Sequence, residues 1–265
     1  MNKRRYLRNW EGIARADPLW SICTHPDRKD GKWGREEFFE TGRGEWGSLV
    51  RYLSEQNIAL PRNGKALDFG CGVGRLSRAM AGYFSTVTGV DASAAMIGLA
   101  REYHAGENST IRFVHHDQPG LSLFGNNTFD FILSVLVLQH IPVEEGKNYL
   151  REMARVLKPG GILLFQVPVA DRRKRPVFDR LRTVLRIRER LALAGIGQGF
   201  RMEMFVYPED EVEAVLSGVS TGIIHRVYTN HTEPGYAGKF QVISPEQAGD
   251  YVSVMMVGKK RDTTD

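Results

Sequence analysis

The chain has 265 residues, of which 42% are hydrophobic and 25% charged, a balance that predicts a folded core and excludes an intrinsically disordered chain. No apolar run is long enough to cross a membrane, and two cysteines, Cys23 and Cys71, are too few for a disulfide framework. The net charge of +5 is uneven, because residues 171–190 hold nine Arg/Lys against three Asp/Glu while the remainder is nearly neutral.

The first 60 residues predict a helical cap in front of the main domain. They are rich in aromatic residues and broken by Gly and Pro, and "EWGSLVRYLSEQ" (45–56) places apolar side chains on one side of a helix. As a set, the aromatic residues can form an apolar lid over a small molecule, and packing within the cap is the alternative for each of them. The set comprises Tyr6, Trp10, Trp20, Trp33, Phe38 and Phe39.

From residue 65, predicted strands alternate with predicted helices. The strands read "KALDFG", "STVTGVD", "TIRFVHHD", "FDFILSVLVLQHI" and "ILLFQVPV", and this rhythm predicts a parallel sheet with crossover helices. After Pro168 come a basic segment, a helix and two strands, "GIIHRVYTN" and "DYVSVMMVGKK". We therefore predict an α/β, Rossmann-like doubly wound sheet of seven mostly parallel strands with an antiparallel edge strand. The cap covers residues 1–60, and the domain covers 61–265 with an insertion at about 171–206.

The stretch "ALDFGCGVG" (66–74) places three glycines at alternate positions directly after a buried strand. Glycine lets a ligand approach the backbone closely, and the free N–H groups of the following helix attract anionic groups. A dinucleotide fingerprint needs Gly-x-Gly-x-x-Gly, but Arg75 stands here in place of its last glycine. The spacing therefore disfavours NAD, and a tight turn without a ligand is the alternative.

Two carboxylates end the next two predicted strands. Asp91 can accept both hydroxyls of a ribose, or it can cap the following helix. Asp117 can accept a hydrogen bond from the exocyclic amine of a base, or it can be an ordinary loop carboxylate. Because ligands bind at the carboxyl ends of parallel strands, both residues are candidates for the same site.

Taken together, these motifs resemble those of the class I S-adenosylmethionine-dependent methyltransferases over residues 64–168. The matching segments are "ALDFGCGVGRLSRAMA", "VTGVDAS", "FVHHD", and "FDFILSVLVLQHI" followed by "LREMARVLKPGGILLFQVP". The resemblance implies S-adenosylmethionine as the cofactor, with S-adenosylhomocysteine as the product. It also implies the residues that surround the cofactor: Asp68, Gly70, Gly72 and Gly74 at the methionine part, Asp91, Ala92 and Met96 along the adenosine, Asp117 and Gln118 at the adenine, and Ser134 and Val135 beside the sulfonium.

The segment "EFFETGRGEW" (37–46, within the cap) resembles N-terminal segments that fold over the cofactor in small-molecule members of this family. The resemblance implies that Thr41, Gly42 or Arg43 reaches the cofactor carboxylate, and a purely structural role is the alternative.

Methyl transfer from a sulfonium is an in-line displacement for which the protein supplies alignment and a dry site. His140, just past the fourth strand, is the best placed candidate for a general base, and orienting a loop is its alternative role. His115 and His116 are further candidates, and strand alternation predicts that one of them points into the protein. Ser134 stands where metal-dependent members carry carboxylates, so we predict no metal.

The leading hypothesis is methylation of a small molecule at oxygen, with nitrogen or carbon as alternatives. An RNA methyltransferase that uses the basic residues 171–190 is the first rival, a NAD-dependent Rossmann oxidoreductase the second, and a non-catalytic cofactor binder the third. The place after strand four reads "SVLVLQH", without the Asn/Asp-Pro-Pro-aromatic run typical of enzymes that methylate base amines, which disfavours nucleic acid.

Residues 171–206 include an apolar stripe surrounded by arginines, formed by Val177, Phe178, Leu181, Val184, Leu185 and Leu191. Such a segment can cap the domain, lie on an anionic membrane, or bind an acceptor that carries phosphate or carboxylate. The two cysteines and an N-terminus without an apolar segment predict a reduced, cytoplasmic protein.

Overall fold

The computed structural model describes residues 3–106, 110–173 and 202–262, and its centre is a seven-stranded sheet in the order β3-β2-β1-β4-β5-β7-β6. The strands are β1 (Lys65–Phe69), β2 (Thr86–Asp91), β3 (Ile111–His115), β4 (Phe129–Ser134), β5 (Leu157–Asp171), β6 (Thr221–Thr229) and β7 (Tyr251–Lys260). Neighbours among β1 to β5 pair in parallel, and β7 pairs antiparallel with both β5 and β6. The predicted α/β fold with its mostly parallel seven-stranded sheet is confirmed, and the reversed strand β7 lies one place inside the edge strand β6.

Helices cover both faces of this sheet. They are α1 (Lys3–Ala16), α2 (Pro18–Ile22), α3 (Arg35–Glu55), α4 (Arg75–Met80), α5 (Ala94–Tyr103), α6 (Val143–Val156) and α7 (Glu209–Ser217). No helix in the described ranges is long and apolar enough to cross a membrane.

The core divides at the sheet because successive side chains of a strand point to opposite faces. In β4, Phe131 and Leu133 pack on the face that α3 covers with Trp46 and Leu49. Ile132 points to the opposite face, where it joins a cluster that includes side chains of α6 and α7. Both faces of the central strand are therefore dry, as its continuous apolar sequence predicts.

The fourth strand is shorter than predicted. We expected a strand throughout "FDFILSVLVLQHI", but β4 ends at Ser134 and Leu138–His140 form a turn of 3₁₀ helix. The reason lies at Leu136, whose φ of +64° is incompatible with an extended strand. The strand therefore stops where the chain turns across the edge of the sheet. The fifth strand is longer than predicted, since it begins at Leu157 and includes "KPGG".

Residues 3–55 are mainly helical. Helix α3 begins ten residues before the predicted segment, at Arg35, and buries Phe38, Trp46 and Leu49 along one side. Whether the cap and the main domain are separate units stays a prediction. Residues 174–201, which hold the apolar stripe and most of the predicted insertion, lie outside the described residues.

Candidate functional site

The glycine turn at the carboxyl end of β1 is closely packed by other side chains. Gly70, Gly72 and Gly74 all have positive φ, at +76°, +54° and +86°. A Cβ on Gly70 would lie 2.3 Å from Cγ2 of Val137, and one on Gly72 would lie 2.6 Å from Cδ1 of Ile22. Glycine is therefore required at these two positions both by the backbone conformation and by the close approach of other side chains.

A cleft lies beside this turn, at the carboxyl edge of the sheet, where ligands bind in parallel α/β folds. Its walls come from the carboxyl ends of β1 and β2, the segment after β4, and helices α1, α2, α5 and α6. The lining residues are Leu7, Trp10, Ser21, Ile22, Phe69, Gly70, Gly72, Val90, Asp91, Ala92, Ser93, Met96, His116, Leu121, Val135, Leu136, Val137, His140, Ile141 and Tyr149.

Asp91 joins the glycine turn to the start of α5. Its Oδ2 accepts a hydrogen bond from the Gly72 N–H at 2.9 Å, and its Oδ1 accepts one from the Ser93 N–H at 2.8 Å. Burial raises the pKa of Asp91, while these backbone donors partly offset that rise. The carboxylate therefore holds two walls of the cleft together as well as lining it.

Six of the predicted cofactor residues line the cleft, namely Gly70, Gly72, Asp91, Ala92, Met96 and Val135. Asp68 lies buried next to it, where it accepts a hydrogen bond from the Ser77 hydroxyl at 2.6 Å. Burial, partly offset by Ser77, raises the pKa of Asp68 to about 6. Ser134 is fully buried, and its hydroxyl has no hydrogen-bond partner in the described part of the chain.

The remaining predicted cofactor residues do not line the cleft. Gly74 caps α4, and a Cβ there would lie 2.6 Å from the ring of Phe113. Asp117 and Gln118 are exposed and bonded to each other at 2.8 Å. His116 lines the cleft instead, and His115 is exposed, so alternation correctly predicted that the two histidines differ.

The cap supplies lining residues that the motifs did not indicate. Leu7 and Trp10 of α1 and Ile22 of α2 face the cleft. Helix α1 is fastened there by Glu11, whose Oε2 accepts hydrogen bonds from the Ser93 hydroxyl at 2.6 Å and from the Ala95 N–H at 3.3 Å. An acidic residue in an otherwise basic helix was the one sequence signal for this contact.

Of the aromatic set proposed as a lid, Trp10 reaches the cleft. Trp20, Trp33, Phe38 and Phe39 belong to a hydrophobic cluster in which the cap packs against Val73 and Met96 of the main domain. In that cluster the Trp33 indole N–H donates to the Cys23 carbonyl at 3.0 Å. These four aromatic residues therefore pack in the core of the cap and against the main domain, and they do not line the cleft.

The segment around Thr41 also lies away from the cleft lining. A Cβ on Gly42 would lie 2.5 Å from the Arg75 carbonyl oxygen, so Gly42 is a packing residue. Arg43 is bound to Glu36 and Glu40 on the surface. The structure therefore supports a structural role for this segment.

Arg75, at the position where a dinucleotide fingerprint has glycine, binds the cap. Its Nη2 lies 2.6 Å from Oε2 of Glu45, and the two side chains are only 3% and 0% exposed. Burial alone would raise the pKa of Glu45, but Arg75, followed by His231, outweighs it and lowers the pKa to about 2. Arg75 therefore joins α4 to α3 through this ion pair and does not line the cleft.

His140 lies at the boundary between this cleft and a second cavity. Its Nδ1 is 2.8 Å from the Glu203 carbonyl oxygen, its Nε2 is 3.0 Å from the Gln139 side-chain nitrogen, and the Trp10 ring stands edge-on to it at 4.7 Å. Burial lowers the pKa of His140 to about 4, so the ring is neutral at pH 7.

The second cavity shares Ser21, Ile22, Leu136 and His140 with the cleft. Its other lining residues are Thr24, Gln139, Met202, Met204, His231, Thr232, Glu233 and Tyr236. Glu233 is its acidic residue, and within the described ranges no Lys or Arg lines it. Tyr236 is buried there, with its hydroxyl close to the Glu45 carboxylate. No cluster of three or more His, Cys, Asp or Glu that could hold a metal ion occurs among residues 3–106, 110–173 and 202–262.

Comparisons with known proteins agree with this geometry. Residues 66–161 match the methyltransferase domain family. A ubiquinone biosynthesis O-methyltransferase from a Caulobacter species is 31% identical over 182 residues, covering 64% of this chain and 65% of that protein. One from Coxiella burnetii is 34% identical over 116 residues, covering 44% and 47%. The chain thus spans less than two thirds of the length of these relatives.

Solved structures show the same fold at low identity. The magnesium protoporphyrin IX methyltransferase ChlM from Synechocystis PCC 6803, solved with bound S-adenosylmethionine, is 17% identical with a TM-score of 0.59 and 98% coverage of both chains. The (4+2)-cyclase SpnF is 18% identical with a TM-score of 0.55 and 81% coverage of both. Residues 66–161 therefore match a methyltransferase domain, and the glycine turn and the strand order agree with the resemblance to class I S-adenosylmethionine-dependent methyltransferases that the sequence motifs indicate.

Proposed function

We propose that this chain transfers the methyl group of S-adenosylmethionine to a hydroxyl group of a small molecule. One observation carries the proposal: a cleft built on the family's glycine turn shares a wall with a second cavity. Two adjoining sites with a common boundary suit a reaction between two bound partners, because alignment is most of what the protein contributes.

The cleft fits the cofactor. A Cβ on Gly70 or Gly72 would collide with Val137 or Ile22, which line the cleft, and Asp91 offers a carboxylate at the strand end. We propose that the two glycines hold the methionine part, and that Asp91, Ala92 and Met96 hold the adenosine. When bound, the cofactor supplies an electrophilic methyl group on a sulfonium. Asp68 and Ser134 are buried and would support the cleft without lining it. A direct role for Gly74, Asp117 and Gln118 in cofactor binding stays a prediction.

The second cavity is our candidate for the acceptor site. Its described lining carries Glu233 and several hydroxyl groups but no cation, which favours an uncharged molecule that donates hydrogen bonds. Oxygen as the methylated atom is supported by the names of the relatives, which describe those proteins. An anionic acceptor remains the alternative that would depend on the arginines of residues 171–190, most of which lie outside the described residues.

We propose His140 as the group that receives the proton of the acceptor hydroxyl. The ring is neutral at pH 7, so one nitrogen is available as a base. That nitrogen, Nε2, contacts the Gln139 amide at 3.0 Å, and the acceptor would have to replace this contact.

Calorimetric titration with S-adenosylhomocysteine and, in parallel, with NADH tests the cofactor assignment. We expect binding of S-adenosylhomocysteine and none of NADH. Binding of NADH alone would refute the proposal in favour of an oxidoreductase.

A cavity-filling pair of variants tests the acceptor site. The assay follows methyl transfer from labelled S-adenosylmethionine to a phenol or alcohol that the parent protein methylates. Met204→Trp should abolish this transfer, while Met204→Leu, which conserves volume, should retain it. Both variants should bind S-adenosylhomocysteine as the parent does. If Met204→Trp kept the parent's kcat and KM, the second cavity would not be the acceptor site.

The predictions about other partners rest on the basic segment. RNA binding would need residues 171–190 and would weaken steeply with salt, and a peripheral membrane contact through the same residues is not favoured. Both cysteines, Cys23 and Cys71, are unpaired and buried, in keeping with the proposed cytoplasmic location.

A further inference from the structure

A buried hydrogen-bond network meets the boundary between the two cavities. Its centre is Gln166 of β5, whose side chain is fully buried. Three groups contact this amide: the Leu136 N–H at 3.1 Å, Gln139 Oε1 at 3.2 Å and Ser253 Oγ at 2.9 Å. Leu136 and Gln139 also line the second cavity, so the network touches the wall of the candidate acceptor site directly.

Chemistry fixes the direction of each hydrogen bond, starting at Leu136. A backbone N–H can only donate, so the atom of Gln166 that faces it must be the carbonyl oxygen. The other end of the amide is then the NH₂ group, which donates to Gln139 Oε1 and to Ser253 Oγ. The Gln166 side chain therefore has one permitted orientation, determined by the backbone.

The same reasoning continues to His140. Because Oε1 of Gln139 accepts from Gln166, its NH₂ group is the part that faces His140 Nε2, at 3.0 Å. That ring nitrogen must then be an unprotonated acceptor. The proton of the neutral ring lies on Nδ1, which donates to the Glu203 carbonyl at 2.8 Å, and a carbonyl can only accept. The Leu136 N–H and the Glu203 carbonyl thus fix the two ends of this series of hydrogen bonds, and the directions inferred from either end agree.

We propose that Gln166 is a positioning residue that, through Gln139, holds His140 as the neutral Nδ1–H tautomer with Nε2 as a hydrogen-bond acceptor at the boundary of the two cavities. Hydrogen bonds to one ring nitrogen commonly set the tautomer, and so the chemical role, of the other. Gln166 also holds the N–H of Leu136, whose backbone is strained at φ +64° and whose side chain lines both cavities. The catalytic meaning of this arrangement rests on the proposed methyl transfer, but the tautomer itself does not.

The second arm of the network offers a matched control. Ser253 contacts Thr229 at 3.3 Å, Thr229 contacts His231 at 2.8 Å, and His231 Nε2 lies 3.1 Å from Glu45 Oε1. Ser253→Ala removes a buried hydrogen bond from the same Gln166 amide without touching the arm that leads to His140. This variant therefore distinguishes the effect of losing any buried hydrogen bond of Gln166 from the effect of losing the hydrogen bonds that lead from Gln166 through Gln139 to His140.

Long-range ¹H–¹⁵N NMR of histidine-labelled protein tests the proposal without cofactor or acceptor. His140→Gln identifies the signals by their disappearance. At neutral pH we expect one protonated and one unprotonated nitrogen on His140, with the proton on Nδ1. Gln139→Met removes the donor to Nε2, so the Nε2 signal should move towards that of a nitrogen without a hydrogen bond. Gln166→Met should produce the same shift although it does not touch His140, and Ser253→Ala should leave the signal in place.

A proton on Nε2 in the parent protein would overturn the proposal, and this measurement needs no variant to fold. An unchanged Nε2 signal in folded Gln166→Met would overturn it too, as would an equal shift in Ser253→Ala. Where turnover is measured, Gln166→Met should lower kcat by about 10- to 100-fold with little change in KM for the acceptor. Failure to bind S-adenosylhomocysteine would refute the proposed function but would leave the tautomer result standing.

Discussion

Replacing Glu45 by Gln should destabilise the protein strongly, because the Arg75 guanidinium would remain buried without its counter-charge. The two side chains are 0% and 3% exposed, with 2.6 Å between charged atoms. The pKa of Glu45 falls from 4.5 to about 2, in spite of burial, chiefly because of Arg75. A shift of this size corresponds to about 3 kcal/mol of stabilisation at neutral pH, and breaking one partner of a buried pair costs about 3–5 kcal/mol. We expect the free energy of unfolding to fall by that amount.

The pH dependence follows from the direction of the shift. The folded state holds the Glu45 proton less tightly than the unfolded state, so the contribution is complete above pH 4.5. It is lost as the pH falls from 4.5 towards about 2. The difference between parent and Glu45→Gln should therefore shrink over this acid range.

Urea unfolding followed by tryptophan fluorescence and circular dichroism measures both effects. The double variant Glu45→Gln/Arg75→Met completes a cycle, and it should be more stable than Glu45→Gln because no buried charge is left unpaired. A loss below about 1 kcal/mol in Glu45→Gln would refute the reasoning, since this is the ordinary value for an exposed pair. So would a difference from the parent that stays constant in acid.

Further predictions concern the cleft. Asp91→Ala should weaken binding of S-adenosylhomocysteine by about 1–3 kcal/mol, roughly 5- to 150-fold by calorimetry, whereas the exposed Asp117→Ala should change it by less than about twofold. Gly70→Ala should abolish this binding, because φ is +76° and the new Cβ would lie 2.3 Å from a neighbouring side chain. Gly98→Ala, on the open side of α5, should instead stabilise the protein by about 0.5–1 kcal/mol in urea unfolding. Asp68→Asn should raise stability at pH 7 by about 3 kcal/mol. Burial raises the pKa of Asp68 from 3.8 to about 6, so the parent protein loses stability as the pH rises through this range. If the stability of parent and Asp68→Asn depended equally on pH, this prediction would be wrong.

The motifs bring several of the predicted cofactor residues to one cleft because the relevant information is local. Gly70, Gly72 and Asp91 lie at the ends of two adjacent strands, and parallel pairing brings such ends to one edge of the sheet. The predicted residues at the end of β3 do not line the cleft. There His116 lines the cleft and Asp117, one residue later, points to solvent, because a shift of one residue reverses the direction of a side chain.

The end of β4 was mispredicted for a different reason. "SVLVLQHI" is apolar and β-branched enough to continue a strand, so local propensity favours extension. The observed turn at Leu136 is stabilised by the Gln166 side chain, which lies thirty residues further along the chain. A contact of that kind leaves no local signal, and it overrides the strand propensity at the point where both cavities need the chain to turn.

Arg75 shows how a tertiary contact changes the meaning of a motif position. At this position a dinucleotide fingerprint requires glycine for close packing between helix and strand. Here a long cationic side chain is accommodated because Glu45 neutralises it and because Gly238 leaves room, since a Cβ there would lie 2.7 Å from Arg75 Nη1. Glu45 comes from the cap and Gly238 from the segment before β7, so one ion pair joins three distant parts of the chain. His231, which contacts the same Glu45 carboxylate, also lines the second cavity. Destabilising the Glu45–Arg75 pair should therefore disturb the candidate acceptor site more than the glycine turn, and the acceptor KM of Arg75→Met should rise more than its cofactor Kd.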